Sequence, residues 1–220
     1  MRPTSTDRTY RHRRSARRSR CRRLALSVLA LAVNIGFLPE AHGETAQSPW
    51  DLCAATIRQA ERAHRLPRGL LGAIAKVESG RYRDSRAEVF AWPWTVTAEG
   101  RGRYLPSKAA AIAEVKTLKA RGIRNIDVGC LQINLHHHPD AFDSLEAAFD
   151  PAENAKAAAN LLVELRDTWG SWTRAVGNYH SNTPTLSGPY RVKVYRTLYR
   201  DRRKAARKAV RQAKKANNAG

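Results

Sequence analysis

The sequence predicts a mostly α-helical protein, and three observations carry that reading. Helix starts and stops are written out along the chain: Pro67 before a run ending at Gly80, Ser107 before one ending at Gly122, and Asp150-Pro151-Ala-Glu153 before one ending at Gly170. Apolar residues within these runs recur at helical spacing. Turn and strand signals are concentrated in one segment, residues 81–106, which holds Trp92, Pro93, Trp94, Gly100, Gly102 and Pro106. No internal repeat is present. A hydrophobic fraction of 42% permits an ordered core, and 220 residues suit one ordinary domain with extensions.

In chain order, Trp50 to Arg65 reads as a first helix, with Leu52, Ala55, Ala60 and Ala63 on its apolar side. Pro67 opens the second, where a proline suits a first turn, and Gly80 closes it after Ser79. Residues 81–106 read as a loop in which Thr95-Val96-Thr97 and Arg103-Tyr104-Leu105 flank a turn at Glu99–Gly102, a small hairpin. Ser107 caps a helix to Arg121, and residues 123–135 are mixed, with a bend at Gly129. Asp143-Ser-Leu-Glu146 resembles a capping box. Asp150 then starts a long helix with Ala158, Leu161, Leu162, Leu165 and Trp169 on one face. Ser171 caps a short helix to Tyr179, residues 181–189 read as a loop, and a last helix starts near Pro189.

The formal net charge of +21 first suggests a polyanionic partner. Its distribution argues against a nucleic-acid domain, which holds its charge on a folded face. Residues 1–43 carry +8, residues 199–220 carry +8, and residues 44–198 carry only +5. The first block, an arginine-dense run from Arg11 to Arg23, precedes the apolar run Leu24–Leu38 and the small residues of Ala41-His42-Gly43. This is the pattern of an export signal cleaved before Glu44; the apolar run is shorter than the ~20 residues of a spanning helix, and the alternative is an uncleaved anchor. Periplasmic localisation is therefore expected. Cys21 would leave with the signal, so Cys53 and Cys130 remain as a pair in an oxidising compartment. They are candidates for a disulfide, and the alternative is two buried free thiols.

The second helix holds the sharpest local clue. Leu71, Ile74 and Ala75 form its apolar face, and Glu78 falls on that face at i+7 from Leu71 and i+4 from Ile74. Desolvation there raises a carboxyl pKa, and the negative end of the helix dipole acts the same way. A carboxyl kept protonated near neutral pH suits a general acid. The plain alternative is a glutamate at a frayed last turn, reaching water.

At this point the residues resemble a family. Val77-Glu78-Ser79-Gly80 is similar to the Glu-Ser motif of soluble lytic transglycosylases, relatives of goose-type lysozyme. Gly129-Cys130-Leu131-Gln132-Ile133-Asn134 resembles their Gly-Leu-Met-Gln-Ile motif, and Ala175 to Ser181 resembles their Ala-Tyr-Asn motif. Phe149-Asp150-Pro151 with Asn154 also matches, in the same order, across roughly residues 50–197. The resemblance implies a lysozyme-like transglycosylase domain over residues 44–198, with residues 1–43 as signal peptide and 199–220 as a basic tail. It implies peptidoglycan glycan strands as substrate, cut between N-acetylmuramic acid and N-acetylglucosamine, with a 1,6-anhydromuramic product. Glu78 would act as acid and then as base, and neither cofactor nor metal would be needed. Ser79, Gln132, Asn134 and Tyr179 would contact the substrate or the acid. Roles in wall recycling, or in opening the wall for secretion, conjugation or flagellar machinery, make envelope-spanning assemblies expected partners. The competing readings are a muramidase that uses water and a non-catalytic wall-binding protein.

The chain departs from that family's pattern in three places. Cys130 replaces a leucine, His180 stands where asparagine is common, and about 50 residues separate Glu78 from Gly129. The extra segment would either wall the groove with its tryptophans or pack locally. Asp127 and Glu99 are candidate second carboxylates. His136-His137-His138 does not have zinc-ligand spacing, because consecutive side chains diverge. The basic tail, Arg200 to Lys215, has an apolar stripe too small for insertion, and attraction to an anionic wall or lipid surface is expected of it.

Overall fold

The structure, a computed structural model, describes residues 48–218, and the proposed signal, with Cys21, lies outside them. Thr45–Gly220 forms a compact unit by itself. The fold is mostly helical, with small antiparallel sheets. The elements are α1 (Pro49–Ala63), α2 (Leu70–Glu78), β1 (Gly80–Arg83), β2 (Glu88–Ala91), β3 (Thr95–Ala98), β4 (Arg101–Tyr104), α3 (Lys108–Ala120), β5 (Ile126–Val128), β6 (Ile133–Asn134), α4 (Leu145–Ala148), α5 (Pro151–Trp169), α6 (Trp172–His180) and α7 (Pro184–Asn217). A short 3-10 turn, Asp84–Arg86, joins β1 to β2.

Helices α1, α2, α5, α6 and α7 enclose the larger core, which contains Leu70, Leu71, Ile74, Leu131, Leu162, Val176 and Val194. A second core, with Val96, Val115, Leu118, Ile126, Val128 and Phe149, lies under the sheet β4-β3-β5-β6. Cys53 of α1 and Cys130 are bridged within the larger core. The bridge closes a loop of 77 residues, which a chain-entropy account values at about 4–5 kcal/mol.

Several local expectations are corrected. α2 begins at Leu70 rather than at Pro67. Gly69 has φ +81° there, and the free amides are met from α1: Glu61 Oε2 accepts from the Gly69 N–H at 2.9 Å and Oε1 from the Gly72 N–H at 3.1 Å. A cap supplied by another helix leaves no local signature. The segment 81–106 holds two hairpins, not one. β3 and β4 pair around the expected turn, while β1 and β2 form a second sheet. β1 reads Gly-Arg-Tyr-Arg and lacks apolar alternation; its Arg81 guanidinium instead lies 4.4 Å from the centroid of Trp92 and 5.1 Å from that of Trp50. Trp92 is buried and donates its Nε1–H to the Leu105 carbonyl at 2.8 Å. It meets Trp94 edge to face at 5.7 Å, so these tryptophans pack locally.

The cap of α4 is Ser144, whose Oγ accepts from Ala147 N–H at 3.1 Å, not Asp143. On α5 the buried stripe is Asn154, Ala155, Ala158, Ala159 and Leu162; Trp169 is exposed. The small side chains let α1 and α6 approach closely, which moves the inward face away from the larger residues. α7 starts at Pro184 and runs through Pro189 to Asn217, taking in most of the basic tail. Pro189 removes one amide donor, and burial of Tyr190, Val194 and Leu198 outweighs that loss.

Asn154 ties the two cores together. Its Nδ2 donates to the carbonyls of Val128 and Ala148 at 3.0 and 3.1 Å, and its Oδ1 accepts from Leu131 N–H at 2.9 Å. Gly129, at φ +83°, lies so close that a Cβ would sit 2.4 Å from the Asn154 Nδ2. Asn154→Ala leaves three buried backbone groups without partners, each worth about 1–3 kcal/mol. Urea denaturation of this variant is expected to show a loss of about 3 kcal/mol or more.

Candidate active site

The α2 helix ends at Glu78 because Ser79 leaves helical geometry and Gly80 follows without a side chain. A Cβ on Gly80 would lie 2.1 Å from the Lys76 carbonyl oxygen, so only glycine allows β1 to depart at that angle. Glu78 is thereby fixed at the edge of the larger core, partly exposed. From α7, the buried Tyr190 donates its hydroxyl to Glu78 Oε1. The carboxyl pKa is raised from 4.5 to about 7. Burial is the main cause; the Asp127 charge adds to it, while the Tyr190 hydrogen bond and Lys193 oppose it. Burial and the adjacent acids push the hydroxyls of Tyr190 and Tyr179 well above their usual range, so both are neutral donors.

The loop 129–134 forms the facing wall. Ser79 is fully buried, and its Oγ donates to the carbonyl of Cys130 at 2.6 Å and that of Ala75 at 3.2 Å. The Tyr179 hydroxyl donates to the Leu131 carbonyl at 2.8 Å. These two side chains brace the loop against α2 and α6; neither is bonded to Glu78. Gln132 holds φ +51°. Its Nε2 donates to the carbonyls of Thr95 and Gly129 at 3.1 and 3.0 Å, and its Oε1 is buried with no protein donor among the described residues. Asn134 donates to Asp127 Oδ1 at 2.7 Å and accepts from the amides of His136 and His137 at 2.9 Å. It therefore organises Asp127 and the start of the histidine run.

Of the two further carboxylates, Asp127 acts on Glu78 through its charge. Its own pKa is raised, chiefly by burial, with Asn134, His137 and His180 opposing. Glu99 sits in the β3–β4 turn, exposed, 3.9 Å from Arg121. Among the described residues no three His, Cys, Asp or Glu side chains gather as metal ligands.

Sequence reasoning missed Tyr190. The signal was available: Tyr190, Val194 and Leu198 repeat at i, i+4 and i+8, and a phenol in a buried apolar stripe needs an acceptor. Placing the helix start at Pro189 made Tyr190 a first-turn residue and hid that stripe. His180 belongs to the same arrangement, since its ring lies flat on that of Tyr190 at 4.6 Å and 9°.

A family model described as Transglycosylase SLT domain matches residues 55–190, well over half of the chain. The matched segment opens in α1 and closes on Tyr190, so it contains Glu78, the 129–134 loop and Tyr179. No curated protein and no solved structure gives a significant match.

Two substitutions are expected to move the carboxyl in opposite directions. Tyr190→Phe removes a hydrogen bond that favours the ionised form, so the Glu78 pKa rises above about 7. Asp127→Asn removes a nearby negative charge, so it falls. The alkaline limb of the pH–activity profile reads both shifts, moving up for Tyr190→Phe and down for Asp127→Asn.

Proposed function

The chain belongs to the family of transglycosylase SLT domains, which act on peptidoglycan, and we propose on that premise that it is a periplasmic lytic transglycosylase with Glu78 as its acid and base. The observation that carries this reading is the placement of the Glu78 carboxyl, at the end of the apolar α2 and hydrogen-bonded by the buried Tyr190 hydroxyl, where burial raises its pKa to about 7. Such a group is protonated often enough to donate and ionised readily enough to accept.

In the proposed reaction, protonated Glu78 gives its proton to the glycosidic oxygen between N-acetylmuramic acid and N-acetylglucosamine as the bond to the anomeric carbon breaks. The oxygen of the substrate's own N-acetyl group bonds to that carbon, giving an oxazolinium. Ionised Glu78 then takes the proton of the C6 hydroxyl, O6 attacks the anomeric carbon, and the oxazolinium opens. The product is a 1,6-anhydromuramic end, and no water is consumed. This is a substrate-assisted departure from the two-carboxylate scheme. The Tyr190 hydroxyl keeps Glu78 aimed and steadies its ionised form between the two steps. Gln132 and Asn134 support the strand-facing wall, and Ser79 and Tyr179 hold that wall in place. Export by the N-terminal signal would bring the enzyme to its substrate, and it would also allow the Cys53–Cys130 bridge to form.

Asp127 favours a second reading. Its carboxylate is close enough to act on Glu78, and a carboxylate that holds a water against the anomeric carbon would make the enzyme a muramidase. Mass spectrometry of digested sacculi separates the two: anhydromuramic ends support the transglycosylase, and reducing muramic ends support hydrolysis. No cleavage at all would support a wall-binding protein.

Glu78→Gln is expected to abolish cleavage while the protein stays folded. It should also stabilise the fold at alkaline pH. A carboxyl with a native pKa of about 7 against 4.5 binds more protons folded than unfolded between those values, so stability falls as pH rises through that window. Glutamine does not titrate, so at pH 8 the variant should exceed the wild type by up to roughly 3 kcal/mol, with the difference vanishing below pH ~4. Retained activity, or equal stability at pH 8, would remove Glu78 from this role.

A further inference from the structure

The last turns of α7 take no part in the site. Lys76 pairs with Asp201 at 2.8 Å and with Glu88 at 3.5 Å, and Arg202 donates to the Arg68 carbonyl at 2.7 Å. These contacts fasten α7 along α2, from Arg68 just before its start to Lys76 in its last turn. From Arg202 on, every described residue is exposed, yet the helix continues to Asn217. Seven cations follow: Arg203, Lys204, Arg207, Lys208, Arg211, Lys214 and Lys215, with no acidic residue beyond Asp201. None of the seven forms an ion pair among the described residues.

Helical geometry sorts them. At 3.6 residues per turn all seven fall within an arc of roughly 140°, along ~18 Å of axis. The opposite side carries Ala205, Ala209, Ala213 and Ala216. Lys204, Ala205, Lys208 and Ala209 border a groove of about 1010 Å3 whose other residues include Trp50, Phe90, Glu61 and Glu88. Glu78 is not among those residues. The small apolar side thus turns toward the body with Lys204 and Lys208 at its rim, while Arg203, Arg207, Arg211, Lys214 and Lys215, which do not line that groove, make the outer face. The cationic face starts ~20 Å along the axis from Tyr190 and ends ~38 Å from it, so a partner bound there leaves the catalytic carboxyl open.

We propose that this outer face of α7 docks the enzyme on an anionic phospholipid bilayer. The chemistry of the face selects that occupant. Its five cations lie outside that groove, it lacks aromatic anchors, and Val210 is its one large apolar side chain, so it offers neither a pocket nor an inserting wedge. Closely spaced, unpaired cations along one face of a rod are neutralised together by a dense, flat field of anions. Each basic residue near such a surface contributes about 1 kcal/mol, and salt weakens the attraction. No described helix is long and apolar enough to cross a membrane, and the attachment proposed for α7 is peripheral and reversible. This inference does not rest on the wall-cleaving reading, and its failure would leave that reading intact.

The test is co-sedimentation with vesicles of phosphatidylglycerol and phosphatidylcholine, against vesicles of phosphatidylcholine alone. The full chain is compared with a variant carrying R203Q, R207Q, R211Q, K214Q and K215Q. Both are also prepared without residues 1–43, whose arginines would bind vesicles on their own. Glutamine keeps helix propensity, and a second variant with Arg203, Arg207 and Arg211 changed to lysine preserves the charge. Without residues 1–43, the wild type and the lysine variant should bind the anionic vesicles and be released by salt. The glutamine variant should bind at least about 100-fold more weakly and cleave sacculi as the wild type does. Equal binding by the glutamine variant would overturn the proposal. So would a loss of binding to sacculi or duplex DNA in the glutamine variant with its vesicle binding unchanged.

Discussion

A single carboxyl set into an apolar wall governs this molecule. Glu78 closes α2 at the point where the chain turns sharply through Gly80, and a hydroxyl from α7, 112 residues later in sequence, meets it. Raising a carboxyl from 4.5 to about 7 corresponds to roughly 3 kcal/mol against the ionised form. The fold carries that cost at neutral and alkaline pH. It is offset elsewhere in the same core, by the Cys53–Cys130 bridge and by the three hydrogen bonds of Asn154. Both devices fix the 128–131 segment, the wall that faces the acid. The stabilising features and the destabilised one are therefore mechanically coupled: whatever loosens the wall also admits water to Glu78 and lowers its pKa.

The side chains around the acid divide the work. Tyr190 touches the carboxyl. Ser79 and Tyr179 touch backbone carbonyls on the opposite wall and keep the wall at its distance. Asn134 holds Asp127, and His180 covers Tyr190. Of the motif residues beside Glu78, Ser79 and Tyr179 donate their hydroxyl hydrogen bonds to backbone carbonyls.

The helices were legible wherever their ends are encoded locally. Ser107, Asp150, Gly170 and Ser171 act within a few residues of themselves, so reading them in the sequence was enough. Glu78 was legible for a related reason, since an acid on an apolar stripe contradicts its own helix. Features that depend on distant partners were not. The cap of α2 comes from Glu61 on another helix, β1 is held by arginine on tryptophan rather than by apolar alternation, and the inward face of α5 is set by how closely α1 and α6 approach it. Tyr190 stayed hidden because one proline was read as a helix start, when burial of the next turns carries α7 straight through it.

The charge that dominates the composition lies mostly outside this chemistry. Within the described body the decisive charge is negative, single and suppressed. The measurement that bears most directly on this account is a titration of the Glu78 side-chain carboxyl, followed by carbon NMR in the wild-type protein. The account predicts a midpoint near 7. A midpoint near 4.5, the value of a glutamate in water, would contradict it.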